Sequence, residues 1–131
     1  MSMSFKKVST LVLAVLLVTI IGCRSNPIRQ VNEAPVMASG QYTVKDVKKA
    51  IIKAGQSIGW GMKPVKPGLI IGTIFVRNHM AKVEIKYNKN NYSIHYKDSA
   101  GLKYDGTNIH RRYNNWIKNL EQRINSQLTG L

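Results

Sequence analysis

From Tyr42 onward the apolar residues follow first a helical period, then an alternating one, then a helical one again. Val47, Ala50, Ile51, Ala54 and Ile58 recur at helical spacing. Thr43 can cap this helix, Asp46 falls where a carboxylate suits the helix dipole, and Tyr42 can staple onto Val47. Gly55 or Gly59 ends it. A stronger stripe, Ile109, Tyr113, Trp116, Ile117, Leu120, Ile124 and Leu128, predicts a helix from about Asn108 to Leu128. Asp105-Gly106 supplies a turn before it, and Thr107 or Asn108 the cap.

Between the helices the period is two. Ala81, Val83, Ile85 and Tyr87 alternate with Lys82, Glu84 and Lys86, and Tyr92, Ile94 and Tyr96 alternate with Ser93, His95 and Lys97. With Asn88-Lys89-Asn90-Asn91 as the turn, 87 pairs with 92, 85 with 94 and 83 with 96, all apolar or aromatic. The other face then sets Lys86 against Ser93, Glu84 against His95 and Lys82 against Lys97. Upstream, Leu69 to Val76 is rich in β-branched residues, and Asn78-His79 is the expected two-residue turn after it. This places Ile70, Gly72, Ile74 and Val76 on the apolar face and Ile71, Thr73 and Phe75 on the other. An earlier strand spans about Trp60 to Val65. A Pro67-Gly68 type II turn after it would bury Lys63, whereas a shift of one residue buries Trp60 and Met62, and the second register is preferred.

The expected fold class is therefore α+β, in two layers. A four-stranded antiparallel meander carries an N-terminal and a C-terminal helix on one face. This single globular domain runs over residues 42–131. Residues 24–41 carry Pro27, Pro35, Ser25, Ser39 and Gly40 without a sustained apolar period, and read as a flexible tether behind Cys23. Eighteen residues of such coil reach roughly 25 Å.

The first 22 residues have a different pattern. Lys6 and Lys7 precede an apolar run from Leu11 to Ile21, the layout of a secretory signal peptide and too short to cross a bilayer comfortably. The run ends in Ile20-Ile21-Gly22-Cys23, which resembles the lipobox of bacterial lipoproteins. The resemblance implies a signal peptide over 1–22, cleavage between Gly22 and Cys23, and acylation of Cys23 at its thiol and new amine. An ordinary signal-peptide cleavage at Gly22 would put Ile20 where a small residue belongs. Arg24, in place of the Asp associated with inner-membrane retention in such lipoproteins, implies the outer membrane, most simply its periplasmic face. Several acyl chains hold a protein where one alone binds marginally.

Twenty Lys and Arg against six Asp and Glu leave a formal charge of +14 on 131 residues. Removing residues 1–22 removes Lys6, Lys7 and no acids, so the mature chain keeps eighteen bases and six acids, +12. Such a chain is attracted to anionic surfaces. Lys45, Lys48, Lys49 and Lys53 form a candidate basic helix face. Ile71, Phe75, Lys82, Lys86, His95 and Lys97 form a candidate binding face on the uncovered side of the sheet. Solvated faces of this kind are also ordinary protein surface.

Catalytic chemistry finds little material. The sole cysteine excludes a disulfide framework and a Cys-rich zinc module, and the lipobox commits it to lipid. No G-x-S-x-G elbow occurs, and the six acids are scattered. His79, His95 and His110 lack metal-ligand spacing, so no metal and no cofactor is expected. His110 is expected to pack or hydrogen-bond at the helix start, and His95 to pair with Glu84. Gly72 to Arg77 faintly resembles the aromatic-basic strand of an RNA-recognition sheet, but the strand order is wrong for that fold and export removes the chain from cellular RNA.

Residues 42–128 also resemble small proteobacterial lipoproteins without an assigned activity. The resemblance rests on Ala50-Ile51-Ile52-Lys53-Ala54-Gly55, Gly59-Trp60, Tyr92-Ser93-Ile94-His95-Tyr96 and Ile109-His110-Arg111-Arg112-Tyr113-Asn114-Asn115-Trp116-Ile117. The expectation is a non-enzymatic binding or structural module of the cell envelope. It is anchored to the membrane through acylated Cys23, with an anionic lipid or an envelope protein as partner. The alternative is a small periplasmic hydrolase whose site forms only in three dimensions. Cys23→Ser is expected to abolish incorporation of an alkyne fatty acid and to leave an unprocessed or soluble chain; labelling that persists would overturn the anchor.

Overall fold

The alternation over residues 81–97 forms the centre of the sheet. Residues 25–131 are described by the computed structural model; residues 1–24, with the signal peptide expected over 1–22 and Cys23, lie outside the described residues. Strands β1 (Ser25–Pro27) and β2 (Val31–Pro35) precede helix α1 (Val44–Ser57). Strands β3 (Gly61–Lys66), β4 (Leu69–Val76), β5 (His79–Tyr87), β6 (Asn91–Ala100) and β7 (Asn108–His110) follow, and helix α2 (Arg111–Thr129) closes the chain. The class is α+β.

The sheet is antiparallel with five strands in the order β2-β6-β5-β4-β3, and β1 pairs with β7 in a separate two-stranded sheet. The expected four-stranded meander is thus present as β3 to β6 and gains β2 at its edge. Residues 25–35, read as tether, are part of the fold. Their sequence hid this because little of it is apolar: β1 is exposed at all three positions, and in β2 only Val31 is buried. Polar bonds hold it instead. The Asn114 side chain accepts from the Arg29 amide at 2.8 Å and donates to the Pro27 carbonyl at 3.0 Å. The Ile28 amide donates to the Thr107 carbonyl at 2.9 Å, and Arg29 meets Glu121 at 3.4 Å, an exposed pair of small value.

In the β5–β6 hairpin, 87 faces 92, 85 faces 94, 83 faces 96, and on the other side 86 faces 93 and 84 faces 95. A bulge at Lys97 then advances the register, so Lys82 faces Asp98 and not Lys97. This replaces a like-charge pair by an opposite-charge one. Between β4 and β5 the turn is Arg77-Asn78, since Val76 pairs with His79; the expected Asn78-His79 turn is two registers off and leaves the faces unchanged. At β3 the two registers weighed from sequence are reconciled. Lys66 pairs with Leu69 around Pro67-Gly68, Gly68 standing at φ +82 as a type II turn requires, while a bulge at Val65 restores the phase that buries Trp60 and Met62.

Thr43 and Asp46 form a reciprocal capping box on α1, with Asp46 Oδ2 accepting from the Thr43 amide at 2.8 Å. That bonding holds the Asp46 carboxyl below its ordinary range. The helix passes through Gly55 and leaves at Gly59; Gly55 faces the Met62 side chain so closely that a Cβ would overlap it. The last helix starts later than expected. Asn108–His110 is drawn into β7 by pairing with β1, and His110, not Thr107 or Asn108, caps α2, its Nδ1 accepting from the Arg112 amide at 3.1 Å. Asp105 serves the preceding turn, accepting from the Thr107 and Asn108 amides at 2.9 and 2.7 Å.

Both helices lie on one sheet face, where Val47, Ile51, Ile117, Leu120 and Ile124 meet Ile70, Val83, Ile85, Tyr92 and Ile94 in one buried core. Tyr92 donates to Asn125 Oδ1 at 2.6 Å, tying the central hairpin to α2. Leu102 and Ile109 complete the core beside β7. A chain shortened to begin at Tyr42 loses β1, β2, the burial of Val31 and the cover over Ile94. We expect its unfolding free energy to fall by at least about 3 kcal/mol relative to a chain beginning at Ser25, as measured by urea denaturation. Equal midpoints and slopes would show that these strands add nothing.

Candidate functional site

The open sheet face presents rows set by the register. Ile71, Glu84 and His95 form one, Thr73, Lys82 and Asp98 the next, and Phe75, Met80 and Ala100 the last. Lys97 bonds Glu84 at 3.2 Å, and His95 Nε2 lies 2.7 Å from Asn32 Oδ1. His95 therefore stands across from Glu84 as expected, but its recorded partner is Asn32 on the edge strand that sequence reading took as tether. Ile71, Phe75, Lys82, Lys86, His95 and Lys97 do share the open face. Lys97 pairs with Glu84 and Lys82 faces Asp98, so two of the three lysines stand beside an acid, while Lys86 faces Ser93. Phe75 remains prominent, 74% exposed.

The basic helix face divides in two. Lys49 and Lys53 border a hollow between Asp46 and the end of α2. Lys45 and Lys48 border a shelf of about 450 Å³ floored by Val44, Pro64, Val65, Pro67 and Tyr87, with Lys66 on its far side. Val44 and Val65 are half exposed, and no acid lines the shelf. Lys89 stands at the same end, its ammonium 5.6 Å from the Tyr42 ring, whose hydroxyl donates to the Lys89 carbonyl at 3.1 Å. Sequence reading saw the four helix lysines but missed Lys66 and the apolar floor, because residues 64–68 meet α1 only through the packing of β3 beside it.

Two other hollows bear on chemistry. One of about 420 Å³ beside α2 is lined by Trp60, Trp116, Asn119, Gln122, Arg123 and Ser126 with Ile58 and Ile74, and carries neither a histidine nor a carboxylate. Another of about 400 Å³ holds Glu33, Lys86, Ser93 and His95. Ser93 Oγ accepts there from the Glu33 amide at 2.9 Å, and His95 Nε2 bonds the Asn32 amide oxygen. Neither bond joins the serine to a base, which nucleophilic catalysis requires. Among the described residues no group of three or more His, Cys, Asp and Glu could hold a metal ion, and no helix is long and apolar enough to cross a membrane. Tyr96 stacks at a tilt on Tyr104, 4.2 Å between centroids, and edge-on to Tyr113, 5.8 Å away. Burial pushes the Tyr113 phenol up, and its hydroxyl has no partner.

Comparison with protein-family models, with curated proteins and with solved structures finds no match to this chain.

His110 is held in a cationic setting at the start of α2. Burial first, then Arg112, Arg111, His79 and Lys103, hold its imidazole below the ordinary 6.5. Its Nδ1 must also stay unprotonated to cap α2. The unfolded chain therefore takes up this proton first as pH falls. The stability His110 contributes is full above about 6.5, the value of the unfolded chain, and is lost progressively below it as pH falls through the lower value of the folded chain. His110→Asn keeps a capping oxygen without titrating. In urea melts between pH 7.5 and 5 we expect the variant to lose less stability than the parent over this window; parallel curves would refute the assignment.

Proposed function

We propose that the chain is a membrane-anchored, non-enzymatic binding module of the cell envelope, acylated at Cys23 and held at the periplasmic face of the outer membrane. Its shelf between α1 and the β3–β4 turn takes an anionic, partly apolar ligand. The lipobox Ile20-Ile21-Gly22-Cys23 supports the anchor. The observation that carries the ligand class is the shelf itself: Val44, Val65, Pro64 and Pro67 form an exposed apolar floor, and Lys45, Lys48 and Lys66 frame it without an acid. An apolar floor with a few convergent charges is the usual composition of a ligand site. An amphiphile bearing a phosphate satisfies both parts, since its chain covers the valines while its headgroup meets the ammonium groups.

The shelf lies far from the end at which the described chain begins. Gly68 and Tyr87 bond at one end of the sheet, and the Arg77-Asn78 turn stands at the other, β5 spanning about 27 Å between them. The ligand surface thus faces away from the end at which the chain enters the fold.

The test uses monomeric dihexanoyl phosphatidylglycerol against dihexanoyl phosphatidylcholine, with binding read from amide chemical shifts of residues 44–48 and 64–68. The anionic lipid is expected to bind at least tenfold more tightly, and the combined Lys45→Glu, Lys48→Glu and Lys66→Glu variant to lose that preference. Lys82→Glu with Lys86→Glu, on the open sheet face, is expected to keep it. Equal affinity for the two lipids, or shifts confined to other residues, would sink the assignment.

A further inference from the structure

The anchored end of the molecule has a composition of its own. Ser25 pairs with His110, and the His110 amide donates to the Leu102 carbonyl at 2.9 Å, which brings Lys103 alongside. Gly101 in turn lies against Asn78 and His79, so the Arg77-Asn78 turn belongs to the same end. Arg77, Lys103, Arg111 and Arg112 are all exposed there. The nearest acid in sequence, Asp105, is turned back onto the Thr107 and Asn108 amides.

All four of these bases occupy positions that local physics disfavours. Arg111 and Arg112 open α2, where the helix dipole favours acids, and the first turn of that helix contains none. Arg77 and Lys103 hold left-handed backbone, φ +56 and +53, where glycine or asparagine costs less. Lys103 thus shares the second disadvantage with Arg77, and neither pair is explained by the stability of the fold. Beside the Arg77 turn, Phe75 stands 74% exposed with Met80 next to it across the strands.

Chain length decides what this end meets. Cys23 precedes Ser25 by two residues, and two residues span at most about 7 Å. The tether expected from sequence would have let the domain stand roughly 25 Å away in any orientation; pairing of β1 with β7 removes that freedom.

We propose that the surface formed by Arg77, Lys103, Arg111 and Arg112, with Phe75 at its edge, lies on the anionic headgroups of the bilayer that holds Cys23 and fixes the domain upright, its shelf pointing away. This rests on the reading of Cys23 as the lipid anchor. The bases then sit within a Debye length of the headgroups, where each is worth about fivefold in binding to an anionic surface. Phe75 is placed at the depth where aromatic rings settle in a membrane interface.

The chain from Cys23 to Leu131 can be coupled through its single thiol to a maleimide lipid, so that orientation is read whether or not cells acylate Cys23. Fatty-acid labelling in cells reports the anchor separately. On vesicles of phosphatidylcholine and phosphatidylglycerol at 3:1, a water-soluble acetylating reagent is expected to modify Lys103 at least fivefold more slowly than on pure phosphatidylcholine. Lys66 and Lys89 should react equally on both. Arg111→Glu with Arg112→Glu, which suits the helix dipole and so preserves the fold, is expected to abolish the protection of Lys103. Equal Lys103 rates on the two vesicles, protection of Lys66 and Lys89 in its place, or protection that survives the arginine reversals would overturn the proposal. Protection of Lys103 in native envelopes but not on anionic vesicles would also overturn it, in favour of a protein partner at this end.

Discussion

The fold depends on one constraint: a two-layer structure has a single buried sheet face, and every strand must keep its apolar phase on it. Ile70, Ile74, Val83, Ile85, Tyr92 and Ile94 satisfy this together, and α1 and α2 close over them. Where turn chemistry conflicts with the phase, the chain inserts a residue. The bulge at Val65 lets Pro67-Gly68 turn without burying Lys63, and the bulge at Lys97 lets β6 continue while setting Asp98 against Lys82. A third irregularity, between Val31 and Ala34, brings Asn32 to His95 and leaves Glu33 at φ +48. The same covered face accounts for the position of both helix lysine groups, since α1 can present only its outer side.

The N-terminal strands have a larger consequence than their size suggests. They bury little, yet through Asn114, Thr107 and the β1–β7 pairing they bring the start of the described chain to one end of the sheet. The molecule therefore has two chemically distinct ends. The entry end carries Lys103, Arg111 and Arg112 around His110, and the far end carries Lys45, Lys48 and Lys66 around exposed valines. In the proposed arrangement the first faces the anchoring bilayer and the second the space beyond it. A basic chain with its charge spread evenly would have no such polarity.

The open face shows how register changes electrostatics without any change of composition. With Lys82 opposite Lys97, three lysines and a histidine would make a cationic sheet. One bulged residue places Asp98 across from Lys82 and leaves Lys97 to Glu84, so two of those lysines stand beside an acid.

Some of this was legible in the residues alone. The two helical stripes, the Thr43-Asp46 capping box and the apolar phase of β3 to β6 are local properties, and burial of one face writes them into the sequence as a period. The run Ile20-Ile21-Gly22-Cys23, which resembles a lipobox, is likewise contiguous and set the expectation of an anchored protein, though it lies outside the described residues. What only the tertiary structure decided has no period to read. Edge strand β2 and the β1–β7 pair are held by backbone bonds and a few polar side chains, which any exposed sequence can supply. The later start of α2 follows from that pairing, because Asn108–His110 is taken as strand. The shelf joins residues 44–48 to residues 64–68, and the entry end joins 25, 77, 103 and 110–112; each is assembled from segments distant in the chain. Proximity of that kind is created by packing, so neither composition nor spacing could announce it.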